Sequence, residues 1–116
     1  MGLAQYADKG YLLPSKFAKE LRTTSDDLAY SLGVGKDAIL RKDRFRSDKI
    51  QRRLREMVEI INKVAPRFGS EMMAYAWYRS EPLPGFSGRT AMQLVREGRA
   101  NEVLEYIDAV DAGVYA

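Results

Sequence analysis

The sequence contains no cysteine and no histidine among its 116 residues. Without cysteine there can be no disulfide and no thiol nucleophile, and without either residue there is no Cys/His zinc site and no imidazole base. The groups left for chemistry are those of Asp, Glu, Lys, Tyr and Ser. We therefore expect a protein that is not an enzyme and that holds no metal and no cofactor.

Long apolar runs are missing as well. A membrane-spanning helix needs about 18 consecutive apolar residues, and no stretch approaches that length. The first ten residues lack the basic start and apolar core of a secretion signal. The hydrophobic fraction of 46% and the charged fraction of 30% are those of a globular protein. We expect a cytoplasmic protein that makes no membrane contact.

The charges are unevenly distributed along the chain. Residues 36–55 contain nine Lys or Arg against three Asp, a net charge of +6. Residues 100–116 contain four acidic residues and no basic one, a net charge of −4. The first segment could face a polyanion, and the second could face a basic surface.

Helix start and stop signals recur from Pro14 onward, whereas residues 1–13 carry only a weak pattern. Capping residues predict helix starts at Thr24, Ser47, Ser70, Thr90 and Asn101. Gly33, Pro66 with Gly69, Gly98 and Gly113 predict helix ends, and residues 79–89 read as a loop rich in Pro and Gly. No segment alternates with period two for long enough to predict a strand. The expected fold class is all-α, a small multi-helix domain.

The second and third predicted helices have the spacing of a helix-turn-helix. A helix with a buried face at Leu28 and Leu32 ends at Gly33, and a short helix over about residues 36–41 follows, with Ile39 and Leu40 as its anchors. The third helix could lie in a DNA major groove, or the segment could be a helical core with a solvated basic face. In the first case the expected phosphate contacts are Lys36, Arg41, Lys42, Arg44 and Arg46.

The fourth predicted helix, over about residues 48–64, carries an apolar stripe with 4-3-4-3 spacing. The stripe could be a dimer seam of the coiled-coil type, but about two heptads are too short to make that convincing. A central core helix is the better interpretation, although the stripe could also serve both roles. The stripe consists of Ile50, Leu54, Met57, Ile61 and Val64.

The C-terminal part resembles a known family. The residues that carry the likeness are Ala76-Trp77, Pro82-Leu83-Pro84-Gly85, Thr90-Ala91-Met92-Gln93-Leu94, Gly98, Val103, Ile107 and Gly113-Val114-Tyr115. Together they look like the toxin-binding domain of the Xre/MbcA/ParS antitoxin family, and the helix-turn-helix in front looks like the Xre-type half of that family. The chain departs from the family pattern at Ala91, where proline is common, and at Gly35, where many Xre domains begin the recognition helix with serine.

The resemblance implies an Xre-like region at residues 14–65 and a toxin-binding domain at residues 66–116. It implies an antitoxin of a type II toxin–antitoxin pair that blocks a toxin with a RES domain, of a type that consumes NAD, and that can repress its own operon. The antitoxin would cover the toxin's active site with its last helix and tail. The implied contact residues are Trp77, Pro82, Leu83, Pro84, Gly85, Phe86, Gly113, Val114, Tyr115 and Ala116.

Two further expectations concern partners. Proteins with a helix-turn-helix usually read paired half-sites as dimers, so we expect a homodimer. The alternative to an antitoxin is a stand-alone helix-turn-helix transcription regulator whose C-terminal half is only a dimerisation module. From the residues alone, Trp77 could be a core residue, and Val114 and Tyr115 could fold back on the last helix as a hydrophobic cap contact.

Overall fold

Short helices joined by tight turns make up most of the fold, which confirms the expected all-α class. The computed structural model describes residues 1–113. None of the helices in this part is both long and apolar enough to cross a membrane. The elements are a hairpin of β1 (Ala7–Asp8) and β2 (Tyr11–Leu12), followed by helices α1 (Pro14–Glu20), α2 (Ser25–Leu32), α3 (Asp37–Leu40), α4 (Asp48–Phe68), α5 (Glu71–Ser80), α6 (Ala91–Arg96) and α7 (Ala100–Asp111).

Helix α4 is the centre of the core. It begins at its predicted cap, Ser47, whose hydroxyl accepts a hydrogen bond from the Ile50 backbone N–H at 3.3 Å. The apolar stripe is buried within the single chain, with Leu54 and Met57 fully inaccessible to solvent. The stripe is therefore a core face, as predicted. The other elements pack around it.

The N-terminal and C-terminal halves share this core. The buried residues of α1, α2, α4, α5, α6 and α7 form one cluster. The Ser31 and Tyr75 hydroxyls share a hydrogen bond of 3.1 Å in its interior, joining α2 to α5. Arg53 also reaches the end of α2, where its guanidinium donates to the Leu32 carbonyl at 3.4 Å. The two halves thus pack as one body.

The first thirteen residues are more ordered than their weak pattern predicted. Lys9 and Gly10 form the hairpin turn, and both have positive φ, as a type I′ turn requires. Tyr6 stacks on Phe17 of α1 with ring centroids 4.4 Å apart. Leu12 is buried at the same side of the core. The segment is thereby fixed to α1 and α4.

Four of the five predicted caps form. Thr24, Ser47, Ser70 and Thr90 each accept a backbone N–H from three residues further on, and at Thr90 the Gln93 side chain reciprocates. The prediction at Asn101 was wrong, because the cap position is Arg99, two residues earlier, and Asn101 lies inside α7. The Arg99 N–H donates to the Leu94 carbonyl at 2.8 Å and so starts the helix directly after the α6 turn.

Two other helix details differ from the prediction. Helix α4 continues past Pro66 to Phe68. Pro66 cannot donate to the carbonyl of Asn62, and its ring crowds that carbonyl, but it lies in the last turn of the helix, so the preceding turns keep their hydrogen bonds and the helix ends at Gly69. Leu40 was expected to anchor α3, but 54% of its surface is exposed. Helix α3 is a single turn, too short to bury both Ile39 and Leu40.

Candidate partner-binding site

The loop between α5 and α6 has a defined shape. Pro82 and Thr90 form a β-bridge at its base, and the Leu83 N–H donates to the Arg89 carbonyl at 2.9 Å. The Leu83 side chain is only 3% exposed, so it anchors the loop from below. Pro84 is exposed at the surface. Leu83 is one of the expected contact residues, but its side chain is buried. It can therefore affect binding only by fixing the conformation of the loop.

Phe86 connects this loop to the last helix through a side-chain contact. Its ring meets the Tyr106 ring of α7 edge-on, with centroids 6.0 Å apart and an interplanar angle of 89°. The Arg99 guanidinium lies 5.8 Å from the centroid of the Phe86 ring. The loop and α7 together enclose a groove of about 290 Å³ at the surface, lined by Phe86, Glu102, Glu105, Tyr106 and Ala109.

Ion pairs link Arg89, Glu97, Arg99 and Glu102, and the last of these residues lines the groove. Arg89 donates to Glu97 at 2.8 Å, and Arg99 donates to both carboxylate oxygens of Glu102, at 2.7 and 3.0 Å. These hydrogen bonds from Arg99 lower the pKa of the Glu102 carboxyl and raise that of Arg99 itself. The positive charges of Arg89 and Arg99 are thus matched by Glu97 and Glu102, within the chain.

Trp77 and the end of α7 lie at the same end of the molecule. Trp77 is half-buried and packs on Phe68, the last residue of α4, with ring centroids 6.2 Å apart. The neighbouring Arg67 forms an ion pair with Asp111, the last residue of α7. Gly113, two residues further on, is exposed. The end of α7 is therefore held beside the end of α4.

Of the ten expected toxin contacts, seven lie in the described part of the chain. Among these, Trp77 and Phe86 are half-buried aromatic side chains, each with one aromatic neighbour. Pro82, Pro84, Gly85 and Gly113 are exposed. The other three, Val114, Tyr115 and Ala116, lie outside the described residues.

The α2–α3 segment has the connectivity of a helix-turn-helix. Gly33 ends α2 with a φ of 72°, and the Val34 N–H donates to the Ala29 carbonyl at 3.0 Å. This left-handed conformation suits glycine, as predicted. The helix in the recognition position, α3, consists of four residues, of which none is fully buried.

The five expected phosphate contacts fall into two groups. Lys42 and Arg44 are exposed and form no ion pair within the described residues. The other three have acidic neighbours within 4 Å: Lys36 lies 3.5 Å from Asp26, Arg41 lies 3.6 Å from Asp37, and Arg46 lies 3.5 Å from Asp43. A polyanion would compete with these carboxylates.

Sequence reasoning missed Phe68, which packs on Trp77, and it missed Arg99 and Tyr106, which pack on Phe86. Tyr106 lies three positions after Val103, a buried residue of α7, and so adjoins it on the helix surface. This spacing signals a side chain at the edge of the core. The contact between the Tyr106 and Phe86 rings depends on the path of the loop, which cannot be predicted from a short stretch of sequence.

Half-buried aromatic rings beside an exposed, hydrogen-bonded loop are typical of a surface that binds another protein. Among residues 1–113 no group of three or more potential metal-ligating side chains lies together. Residues 64–113 match the family model described as the antitoxin Xre/MbcA/ParS C-terminal toxin-binding domain. This match indicates an antitoxin-type toxin-binding domain in the region of α5 to α7.

The match supports the resemblance of the C-terminal half to antitoxins. It covers less than half of the chain, and residues 1–63 lie outside it. No curated protein and no solved structure matches the chain significantly. The helix-turn-helix half and the RES-type partner therefore remain predictions.

Proposed function

We propose that this protein is the non-enzymatic antitoxin of a type II toxin–antitoxin pair. The observation that carries the proposal is the match of residues 64–113 to a toxin-binding domain. Within that segment the Phe86 loop is fixed against α7, and Trp77 is fixed against the end of α4. A preformed surface binds with little loss of side-chain entropy, which favours a role in recognition.

The proposed partner is a RES-domain toxin that consumes NAD, and the proposed mechanism is occlusion of its active site. The Arg67–Asp111 ion pair holds the end of α7 beside the end of α4, and the proposed contacts Gly113 to Ala116 follow in the sequence. Tyr115 offers a large contact area with only two rotatable side-chain angles, which suits an anchor. In this arrangement the loop and Trp77 bind the rim of the toxin, and the tail occupies the substrate's place.

The proposal predicts a RES-domain gene beside this one, and the purified antitoxin should inhibit NAD consumption by the protein that it encodes. Phe86→Ala and Trp77→Ala should each weaken the complex by about tenfold or more, because buried aromatic contacts dominate many interfaces. Leu40→Ala is the matched control, since Leu40 is an apolar residue that is exposed on a different element. Wild-type protein that neither binds nor inhibits this neighbour would refute the proposed partner.

A second proposed activity is repression of its own operon through operator DNA. It is supported by the α2–Gly33–α3 connection and by the net charge of +6 at residues 36–55. Two copies of the chain would bind the two half-sites. The proposed phosphate contacts are Lys36, Arg41, Lys42, Arg44 and Arg46.

Salt dependence tests this activity. The logarithm of the binding constant should fall with the logarithm of salt concentration at a slope of about −0.9 per phosphate neutralised. Replacing Lys42 and Arg44 by alanine should make the slope shallower by nearly two. Lys16→Ala, on α1, is the control. If DNA binds while the RES protein does not, the alternative of a stand-alone transcription regulator is favoured.

A further inference from the structure

The last helix carries four acidic side chains, and three of them are neutralised within the chain. Glu102 is held by Arg99. Asp108 accepts a hydrogen bond from Lys63 at 2.7 Å, and Asp111 pairs with Arg67. Glu105 is exposed and has no ion pair within the described residues. The uncompensated negative charge of α7 is therefore that of one carboxylate.

Glu105 belongs to the groove between the Phe86 loop and α7. Together with Glu102, Tyr106 and Ala109 it forms one face of the helix, because these residues are three and four positions apart. The Phe86 and Tyr106 rings form the apolar part of the lining. The groove thus combines aromatic surface with one available carboxylate.

The balance of charge around the groove favours a cation. Arg99 would repel an incoming positive group, but its charge is matched by Glu102 at hydrogen-bonding distance and by Glu97 at 3.8 Å. The Arg99 guanidinium already lies over the Phe86 ring, 5.8 Å from its centroid. An aromatic ring attracts a cation through its negative face.

We infer that this groove binds an arginine side chain of the toxin, held by the Glu105 carboxylate and the rings of Phe86 and Tyr106. Arginine fits better than lysine because its planar guanidinium can donate two hydrogen bonds to one carboxylate while stacking on a ring. The groove volume of about 290 Å³ is ample for one such side chain. The inference rests on the proposed function, because it assumes that the partner is a toxin.

The test compares Glu105→Gln with Glu59→Gln in the full-length protein. Both side chains are exposed carboxylates without an ion pair in the described part of the chain, but Glu59 lies on α4 and does not line the groove. Binding to the RES protein encoded beside the gene is measured by calorimetry at two salt concentrations. Glu105→Gln should weaken binding about ten- to a hundredfold, as loss of a charged hydrogen bond requires, and should reduce its salt dependence. Glu59→Gln should leave both unchanged.

Phe86→Leu serves as a second variant, because leucine keeps the apolar contact and removes the ring. It too should weaken binding if a guanidinium stacks in the groove. Wild-type protein that does not bind the RES protein would refute the proposed function and this inference together. Normal binding by Glu105→Gln beside tight wild-type binding would overturn the inference alone. Loss in Phe86→Leu with normal binding by Glu105→Gln would also overturn the inference, because the ring would then contribute without the carboxylate.

Discussion

Gln51 forms a buried polar link between α4 and the N-terminal hairpin, and its replacement by methionine provides a sharp test of how that hairpin is held. The side chain is 6% exposed. Its amide oxygen accepts from the Leu12 N–H at 2.8 Å, and its amide nitrogen donates to the carbonyls of Leu12 at 3.0 Å and Phe45 at 2.9 Å. Methionine has a similar length and can make none of these bonds.

A neutral hydrogen bond contributes about 1 kcal/mol net, and a buried partner left unsatisfied costs about 1–3 kcal/mol. Three lost bonds therefore predict a loss of about 2–4 kcal/mol in the free energy of unfolding for Gln51→Met. This loss cannot exceed the free energy with which the hairpin packs on the rest of the fold, because a hairpin that separates from α4 can form hydrogen bonds to water instead. In that case the Leu12 amide should exchange rapidly while the amides of α4 stay protected.

Urea unfolding and native-state hydrogen exchange measure the two effects. Arg52→Met is the matched control, because Arg52 is the next residue along α4 and is exposed. Its effect should stay within about 0.5 kcal/mol. If Gln51→Met stays within that range as well and the Leu12 amide remains protected, Gln51 does not hold the hairpin.

Three other predictions follow from the same contacts. Leu54→Ala and Met57→Ala should each lower the free energy of unfolding by about 2–5 kcal/mol, because both side chains are fully buried. This loss should not depend on protein concentration, which melting curves at two concentrations will test. Arg99→Gln should raise the pKa of the Glu102 carboxyl, measured by NMR titration, since Arg99 is the main cause of its lowering. In the wild type, the stabilising effect of this pair is present above the pKa of the unfolded state and is lost as the pH falls through the lower folded-state value. Deleting residues 114–116 should leave the circular dichroism spectrum unchanged and abolish inhibition of the toxin; full inhibition by a folded truncated chain would remove the tail from the mechanism.

Local signals in the sequence were sufficient to predict most of the helices. The caps form at Thr24, Ser47, Ser70 and Thr90 through hydrogen bonds to residues only three positions away. A short stretch of sequence is therefore enough to predict each of them. The apolar stripe of α4 likewise follows from helical periodicity. By contrast, the start of α7 depends on a turn that joins it to α6. Asn101 looked like a cap only because that turn was not foreseen.

The non-local contacts could not be predicted in the same way. Gln51 is a polar residue that is buried because it bonds to Leu12, 39 positions away. The hairpin has strands of two residues each, too short for any alternation to be visible. In the candidate site, Trp77 and Phe86 were identified through a family resemblance, whereas Tyr106 and Phe68 were not found because loop path and helix packing bring them into place.

The hydrogen bond between Ser31 and Tyr75 lies inside a core that both halves of the chain share. Opening either half would expose buried apolar surface of the other, so thermal fluctuations of α2 and α5 should be coupled. A toxin that binds the folded chain at 100 times its dissociation constant would stabilise it by about 2.7 kcal/mol. Because the core is continuous, that stabilisation would extend to the amide groups of α2, and a protease acting through global opening would cut residues 14–65 about a hundredfold more slowly in the complex.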